Sequence, residues 1–250
     1  MSRSICLNAD LGELPGEAGR ALDSAMLRVV TRCNIACGGH AGDDESMRRT
    51  VEVAKKYRVQ IGAHPSYPDR EHFGRRSLTM EPADLAASLD AQVSRLLEIA
   101  KSAGVPLVHL KAHGALYNDA AKDGALAKLV AGAAVKAGIP ELVGPPNSAM
   151  YTAAQAAGLR FLAEGFADRS YEPDGALTPR SVSGAVIAEG AEVLVQALSF
   201  AQAGKVKVRG GGELRLPIHT LCLHSDTPGA ADHAAAIRAG LEAACIEVRA

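Results

Sequence analysis

The chain has 250 residues, of which 48% are hydrophobic and 22% charged, with a formal net charge of -1. That balance buries a large core without disulfide or metal staples. It also excludes a nucleic-acid binder of the basic-patch kind, because Lys and Arg are scattered and form no stripe that would neutralise phosphates.

No uncharged apolar run reaches the ~18 residues that a membrane span needs. Asp10 and Glu13 stand where a signal peptide requires its apolar segment, so a protein that is not exported is expected. Five cysteines (Cys6, Cys33, Cys37, Cys222 and Cys245) give an odd count with no framework spacing, which predicts reduced thiols and a cytoplasmic location. Cys33 and Cys37 lack the second pair that a zinc site would need.

In chain order, short apolar runs predict strands over residues 5–10, 33–37, 59–64, 107–111, 141–143, 161–164 and 220–224. Helical periodicity fills the intervals. Residues 44–57 align Met47, Val51 and Ala54, and residues 84–103 align Leu85, Leu89, Val93, Leu96 and Ala100. Further helices are predicted over 125–137, 149–157, 184–203 and 231–244, with Gly104, Gly138, Gly158 and Gly204 placed as C-terminal stops. The stretch KVKVRGGGELRLP at 205–217 departs from the rhythm and predicts a β-hairpin turning at Gly210, Gly211 and Gly212. Repeated strand–helix alternation implies a parallel sheet, either closed as a barrel or open and doubly wound. No low-complexity linker divides the chain, so residues 1–250 are read as one domain.

The chemistry collects where these strands finish: NADLGE (8–13), CGGHAGD (37–43), AHPSYPD (63–69), LKAHGALYN (110–118), EGFADRSY (164–171) and LHSDTP (223–228). In parallel α/β folds the C-terminal strand ends converge on one mouth. Any single polar end reads equally well as a cap or a turn, and Asp43 and Asp44 are read that way. Repetition along the chain points instead to a shared polar pocket. Alternation puts Asn8 with Asp10 on one strand face, His109 with Lys111 and His113 on another, and His224 with Asp226 on a third. His72 and His233 are read as solvated, His219 as structural, and His109 as a hydrogen-bonded core residue. Lys111, inside VHLKAHG, requires a buried counter-charge, for which Asp10, Glu164 and Asp168 are candidates. Neither GxxxxGK[ST], nor GxGxxG after the first strand, nor GxSxG occurs, which disfavours a phosphate loop, a dinucleotide cofactor and a serine-hydrolase elbow.

The stretches LNADLGE, CNIACGGHAGD, GAHPSYPDREHFGRR, VHLKAHGALYN, EGFADRSYEPDGALTPR and LCLHSDTP resemble the LamB/YcsF family, a family of bacterial 5-oxoprolinase subunits. They run in order from residue 7 to residue 228. Ala9 and Gly39 depart from the family's usual Cys and Phe. The resemblance implies an irregular (β/α) barrel of about seven strands, similar to the glycoside hydrolase/deacetylase barrel. It further implies ATP-dependent opening of the 5-oxoproline lactam to L-glutamate, with two partner subunits that share the handling of ATP.

For such a reaction Asp10 or Glu13 is the candidate base, and His113 or His64 the candidate acid. Lys111 and Arg169 are expected to hold carboxylate or phosphoryl oxygens. Asn8, His40, Tyr117, Glu164, Asp168, His224 and Asp226 are expected to line the substrate site, with Asp226 placed to orient His224. A second reading is a stand-alone metal-dependent amide or ester hydrolase with Asp10, His40 and His64 around a divalent ion. A third is a non-catalytic binding subunit whose cleft uses Tyr67, Phe73 and Tyr117.

Overall fold

Strand β1 (Arg3–Leu11) alternates Ile5, Leu7, Ala9 and Leu11 with Cys6, Asn8 and Asp10, and both sets are buried. A strand that buries two different faces needs two different surroundings, and the fold supplies them. The computed structural model describes residues 3–223 and 229–250. In it β1, β2 (Arg32–Ala36), β3 (Gln60–His64), β4 (Leu107–Lys111), β5 (Glu141–Gly144) and β6 (Arg160–Phe166) pair in sequence order, all parallel. Later come β7 (Lys205–Lys207), β8 (Glu213–Arg215) and β9 (Thr220–Leu223). β9 joins β6 on one side and Cys6–Ala9 of β1 on the other, which closes a seven-stranded parallel barrel. The choice between a closed and an open sheet is thereby decided. A last strand, β10 (Ile246–Val248), pairs parallel with Arg3, Ser4 and Ile5 of β1, below the point where β9 takes over. β7 and β8 form an antiparallel hairpin outside the barrel.

The helices are α1 (Gly16–Met26), α2 (Asp44–Tyr57), α3 (Pro82–Ser102), α4 (Gly114–Lys122), α5 (Gly124–Lys136), α6 (Ala149–Ala156), α7 (Gly190–Ala203) and α8 (Ala230–Ala243). α2 shows how local chemistry sets the boundaries. Asp43 accepts from the Ser46 backbone N–H at 2.8 Å while Ser46 Oγ accepts from the Asp43 N–H, a reciprocal capping box. Lys55 and Lys56 sit in the last turn, where the helix dipole favours positive charge, and Arg58 ends the helix in the left-handed region. Met47, Val51 and Ala54 face inward as the periodicity predicts, whereas Asp44 lies in the first turn and pairs with Arg95 across to α3. The predicted helix over 184–203 begins only at Gly190, and α1, α4 and β10 have no counterpart among the predicted elements.

The apolar core lies between barrel and helices: Leu7, Leu11, Ile35, Ile61, Leu110 and Leu142 pack outward against residues such as Val51, Leu89, Leu96 and Ile237. The barrel interior is polar instead. Arg32 Nη1 donates to Glu141 Oε2 at 2.5 Å and approaches His109 Nδ1 at 3.4 Å. His109 Nε2 donates to Asn34 Oδ1 at 2.8 Å, and Asn34 Nδ2 donates to Asn8 Oδ1 at 2.8 Å and Asp10 Oδ1 at 2.7 Å. Asn8 Nδ2 in turn donates to Glu164 Oε1 at 3.0 Å and Thr220 Oγ1 at 2.8 Å. This ladder replaces the branched apolar layers usual inside larger β/α barrels. Its room comes from Gly62, whose Cβ, if present, would lie 2.3 Å from the His109 ring.

Candidate functional site

At the top of the ladder the strand ends deliver charged groups. Lys111, 2% exposed, donates to Asp10 Oδ1 at 2.9 Å and Glu164 Oε1 at 2.9 Å, with Cys222 Sγ at 3.1 Å and the Phe166 ring beneath it at 5.4 Å. Burial alone would lower the Lys111 pKa, but Asp10, the Cys222 sulfur and Glu164 beside it raise it well above the usual ammonium range. Two of its three expected partners are thus in contact. Beside them Tyr117 Oη and Glu164 Oε2 are buried with no hydrogen-bond partner among the described residues. Burial, followed by the nearby Glu164 carboxyl, pushes the Tyr117 hydroxyl well above its ordinary value, so it stays protonated.

The second group sits above Asp10. Gly12 turns at φ +75° just after β1 and brings Glu13 over the barrel. Glu13 Oε1 lies 3.0 Å from His40 Nε2, 3.3 Å from His113 Nδ1 and 3.8 Å from His64 Nε2. His40 and His113 stack at 3.6 Å with an interplanar angle of 4°, and His64 stands edge-on to both. One ligand atom from each of Glu13, His40, His64 and His113 falls within 4.8 Å of the others, a group of metal-binding composition. Burial lowers the His40 pKa to about 3 and lowers that of His113 as well, so both rings are neutral near neutral pH.

Neighbouring carbonyls fix two of these rings. His64 Nδ1 faces the Lys111 carbonyl at 2.8 Å and His113 Nε2 faces the Phe73 carbonyl at 3.0 Å. A carbonyl only accepts, so those nitrogens carry hydrogens, which leaves Nδ1 of the neutral His113 ring bare and turns His64 Nε2 toward it at 3.0 Å. On its Glu13 side the His113 ring therefore presents a lone pair.

The structure brings together Asn8, Asp10, Glu13, His40, His64, Lys111, His113, Tyr117 and Glu164. The expected metal set of Asp10, His40 and His64 shifts: Asp10 Oδ2 is 3.4 Å from His64 Nε2, but Glu13 and His113 complete the four-residue group and Asp10 serves Lys111. The Gly12 turn is the physical reason, since strand alternation alone leaves Glu13 unplaced. Arg169 also departs from expectation: its Nε and Nη2 donate to the carbonyls of Ala185 and Thr178 at 3.1 and 2.6 Å, holding the loop after β6. Asp168 is buried nearby. His224 and Asp226 lie outside the described residues. Tyr67 is buried and donates to Asp119 at 3.1 Å, a packing role. His109 and His219 are structural as read, the latter accepting from the Ala163 N–H at 2.9 Å. Unforeseen was Asn34, visible only as an inward alternation partner of Arg32; Phe73, expected in the cleft, contributes its backbone carbonyl, which anchors His113.

The profile of the LamB/YcsF family matches residues 5–250. The chain belongs to the LamB/YcsF family. Within that family, a 5-oxoprolinase subunit from Methylococcus capsulatus is 48% identical, with 100% of this chain and 96% of the relative covered. The corresponding 5-oxoprolinase subunit from Chloroflexus aggregans is 49% identical with 98% of each covered. The crystal structure of a lactam utilization protein from Thermus thermophilus superimposes with a TM-score of 0.89 at 38% identity, over 99% of both chains. The family match thus runs from residue 5 to residue 250.

Proposed function

We propose that this chain is one subunit of a cytoplasmic, ATP-dependent 5-oxoprolinase that opens the 5-oxoproline lactam to L-glutamate together with two partner subunits. The observation that carries this reading is the end-to-end match to relatives named as subunits of 5-oxoprolinase. The mouth has chemistry that suits such a substrate. A lactam is a cis amide, so its N–H and C=O lie on one edge. The unpartnered Glu164 Oε2 and Tyr117 Oη–H offer the complementary acceptor and donor.

An amide carbonyl is a poor electrophile. Transfer of the γ-phosphoryl group from ATP to the lactam oxygen releases ADP and activates the ring carbon. Water then adds to that carbon, the C–N bond breaks with proton transfer to nitrogen, and the resulting acyl phosphate is hydrolysed by a second water to glutamate and phosphate. Asp10 takes the proton from the attacking water, and Lys111 gives one to the departing nitrogen. Their 2.9 Å hydrogen bond returns the proton from Asp10 to Lys111. Asn34, donating to Asp10, and Asn8, donating to Glu164, keep the pair aligned.

The test measures ADP and glutamate formed from 5-oxoproline by this chain alone and with candidate partner subunits. Product only in the mixture is expected. Product from the chain alone rejects the subunit role and favours the stand-alone hydrolase, and no product in any mixture rejects the substrate.

A further inference from the structure

Two imidazole nitrogens face each other above Asp10. His64 Nε2 and His113 Nδ1 lie 3.0 Å apart, and each ring turns its other nitrogen to a backbone carbonyl on its far side. Glu13 Oε1, an acceptor as well, closes the same space at 3.3 Å from His113 Nδ1. Acceptors pointed at one another in a buried site repel unless a cation or a shared proton lies between them.

We propose that Glu13 Oε1, His40 Nε2, His64 Nε2 and His113 Nδ1 bind one divalent transition-metal ion, of the zinc or cobalt class. The spacing fits. Ligands about 2.0–2.1 Å from a tetrahedral ion are separated by about 3.3 Å. Four of the six separations among these atoms are 3.0, 3.0, 3.3 and 3.8 Å, and all six lie within 4.8 Å. Three imidazole nitrogens and one carboxylate oxygen are a donor set for borderline ions, whereas magnesium and calcium take oxygen ligands. The carbonyls of Lys111 and Phe73 orient their imidazoles from behind, as outer partners of metal-bound histidines do. Gly74 roofs the cluster so closely that a Cβ there would lie 2.9 Å from His40 Cβ and 3.1 Å from His113 Cδ2.

The three histidines are not equivalent. His40 Nδ1 is buried with no partner among the described residues, so His40 lacks the anchor that His64 and His113 have. It is the ligand whose loss costs least. When bound, such an ion supplies Lewis acidity on the His64 side of Asp10.

The inference goes beyond the proposed 5-oxoprolinase role, and its test needs no substrate, ATP or partner. Full-length protein is stripped with a chelator and titrated with Zn²⁺ or Co²⁺, following metal content and the visible absorption of Co²⁺. Wild-type protein is expected to bind about one equivalent, and Glu13→Gln and His113→Asn each to weaken binding about tenfold or more. His40→Asn should weaken it less. His72→Asn serves as a control, because that ring bonds Asp69 away from the cluster and should leave binding unchanged. Circular dichroism establishes that each variant is folded, and Glu13→Gln, which preserves side-chain volume, carries the test if His113→Asn unfolds. Folded wild-type protein that binds less than about a tenth of an equivalent of either ion overturns the proposal, in favour of a proton shared between His64 and His113. Binding by Glu13→Gln at wild-type strength overturns it too.

Discussion

The lower barrel and its mouth are built from the same residue types but obey opposite rules. In the lower barrel donors meet acceptors in one consistent direction, from Arg32 through His109, Asn34 and Asn8 to Glu164; Arg32 Nε is the one donor of that ladder buried without a partner among the described residues. In the mouth acceptors meet acceptors around Glu13, and Tyr117 Oη and Glu164 Oε2 are buried unpartnered. A satisfied polar network specifies a fold; an unsatisfied one of similar burial marks where something else binds. The difference is why we place the ligand side of this barrel at its mouth.

Four substitutions would break or sharpen that contrast. The largest effect is expected in the ladder. Arg32→Met leaves Glu141 with Arg160 alone, a partner that reaches it at 3.1 Å from an exposed position. Stability should fall by about 3 kcal/mol in urea unfolding. Lys111→Met acts on the mouth, removing the ammonium that bridges Asp10 and Glu164. Turnover in the assembled enzyme should drop about a hundredfold or more, with helix content by circular dichroism retained. A wild-type rate would remove Lys111 from the mechanism.

The next effect is one of pH. Burial, then Arg32, Lys111 and His64, hold the His109 pKa well below its usual 6.5, with Asp10 opposing. The ring therefore stays neutral in the fold while the unfolded chain takes up a proton below pH 6.5. Stability contributed by this site is present above that pH and lost as pH falls. His109→Gln should flatten that slope, by up to about 1.4 kcal/mol per pH unit, in unfolding curves collected between about pH 6.5 and 4.5. An unchanged slope would mean that His109 does not carry the acid sensitivity. The smallest effect belongs to Tyr117→Phe, which removes one donor from the mouth. It should lower kcat/KM for 5-oxoproline about three- to tenfold and leave stability nearly unchanged.

Much of this was legible in the residues. Periodicity located every strand of the barrel, because a strand buried on both faces still shows a short bounded run such as Leu107–Lys111. Strand ends located the mouth, since Asn8, Asp10, Lys111 and Glu164 alternate with outward leucines and alanines. Other elements were hidden for physical reasons. α1 starts after Pro15 with Gly16 and Gly19 in its first turns and no capping side chain, and α4 begins inside the motif KAHGALYN, directly after His113. β10 is three residues long, too short for any period. Barrel closure also escaped periodicity, because β6–β9 and β9–β1 pairing is set by tertiary register. The partnership of His40 with His113 depends on two loops meeting through Glu13, which no spacing within either segment encodes.

The split pairing of β1 bears on the order of events during synthesis. Its first residues lie against Ile246–Val248 and its middle against Thr220–Leu223, so the earliest strand completes its partnerships only with the latest. Such long-range pairing is slow to form, because a large loop must close before any contact compensates the lost chain entropy. Asp10 cannot settle beside Lys111 and Glu164 in a closed barrel until β9 has emerged. A nascent chain would therefore close the mouth, with Glu164 of β6 brought beside Asn8 and Asp10 of β1, as one of the last steps of folding.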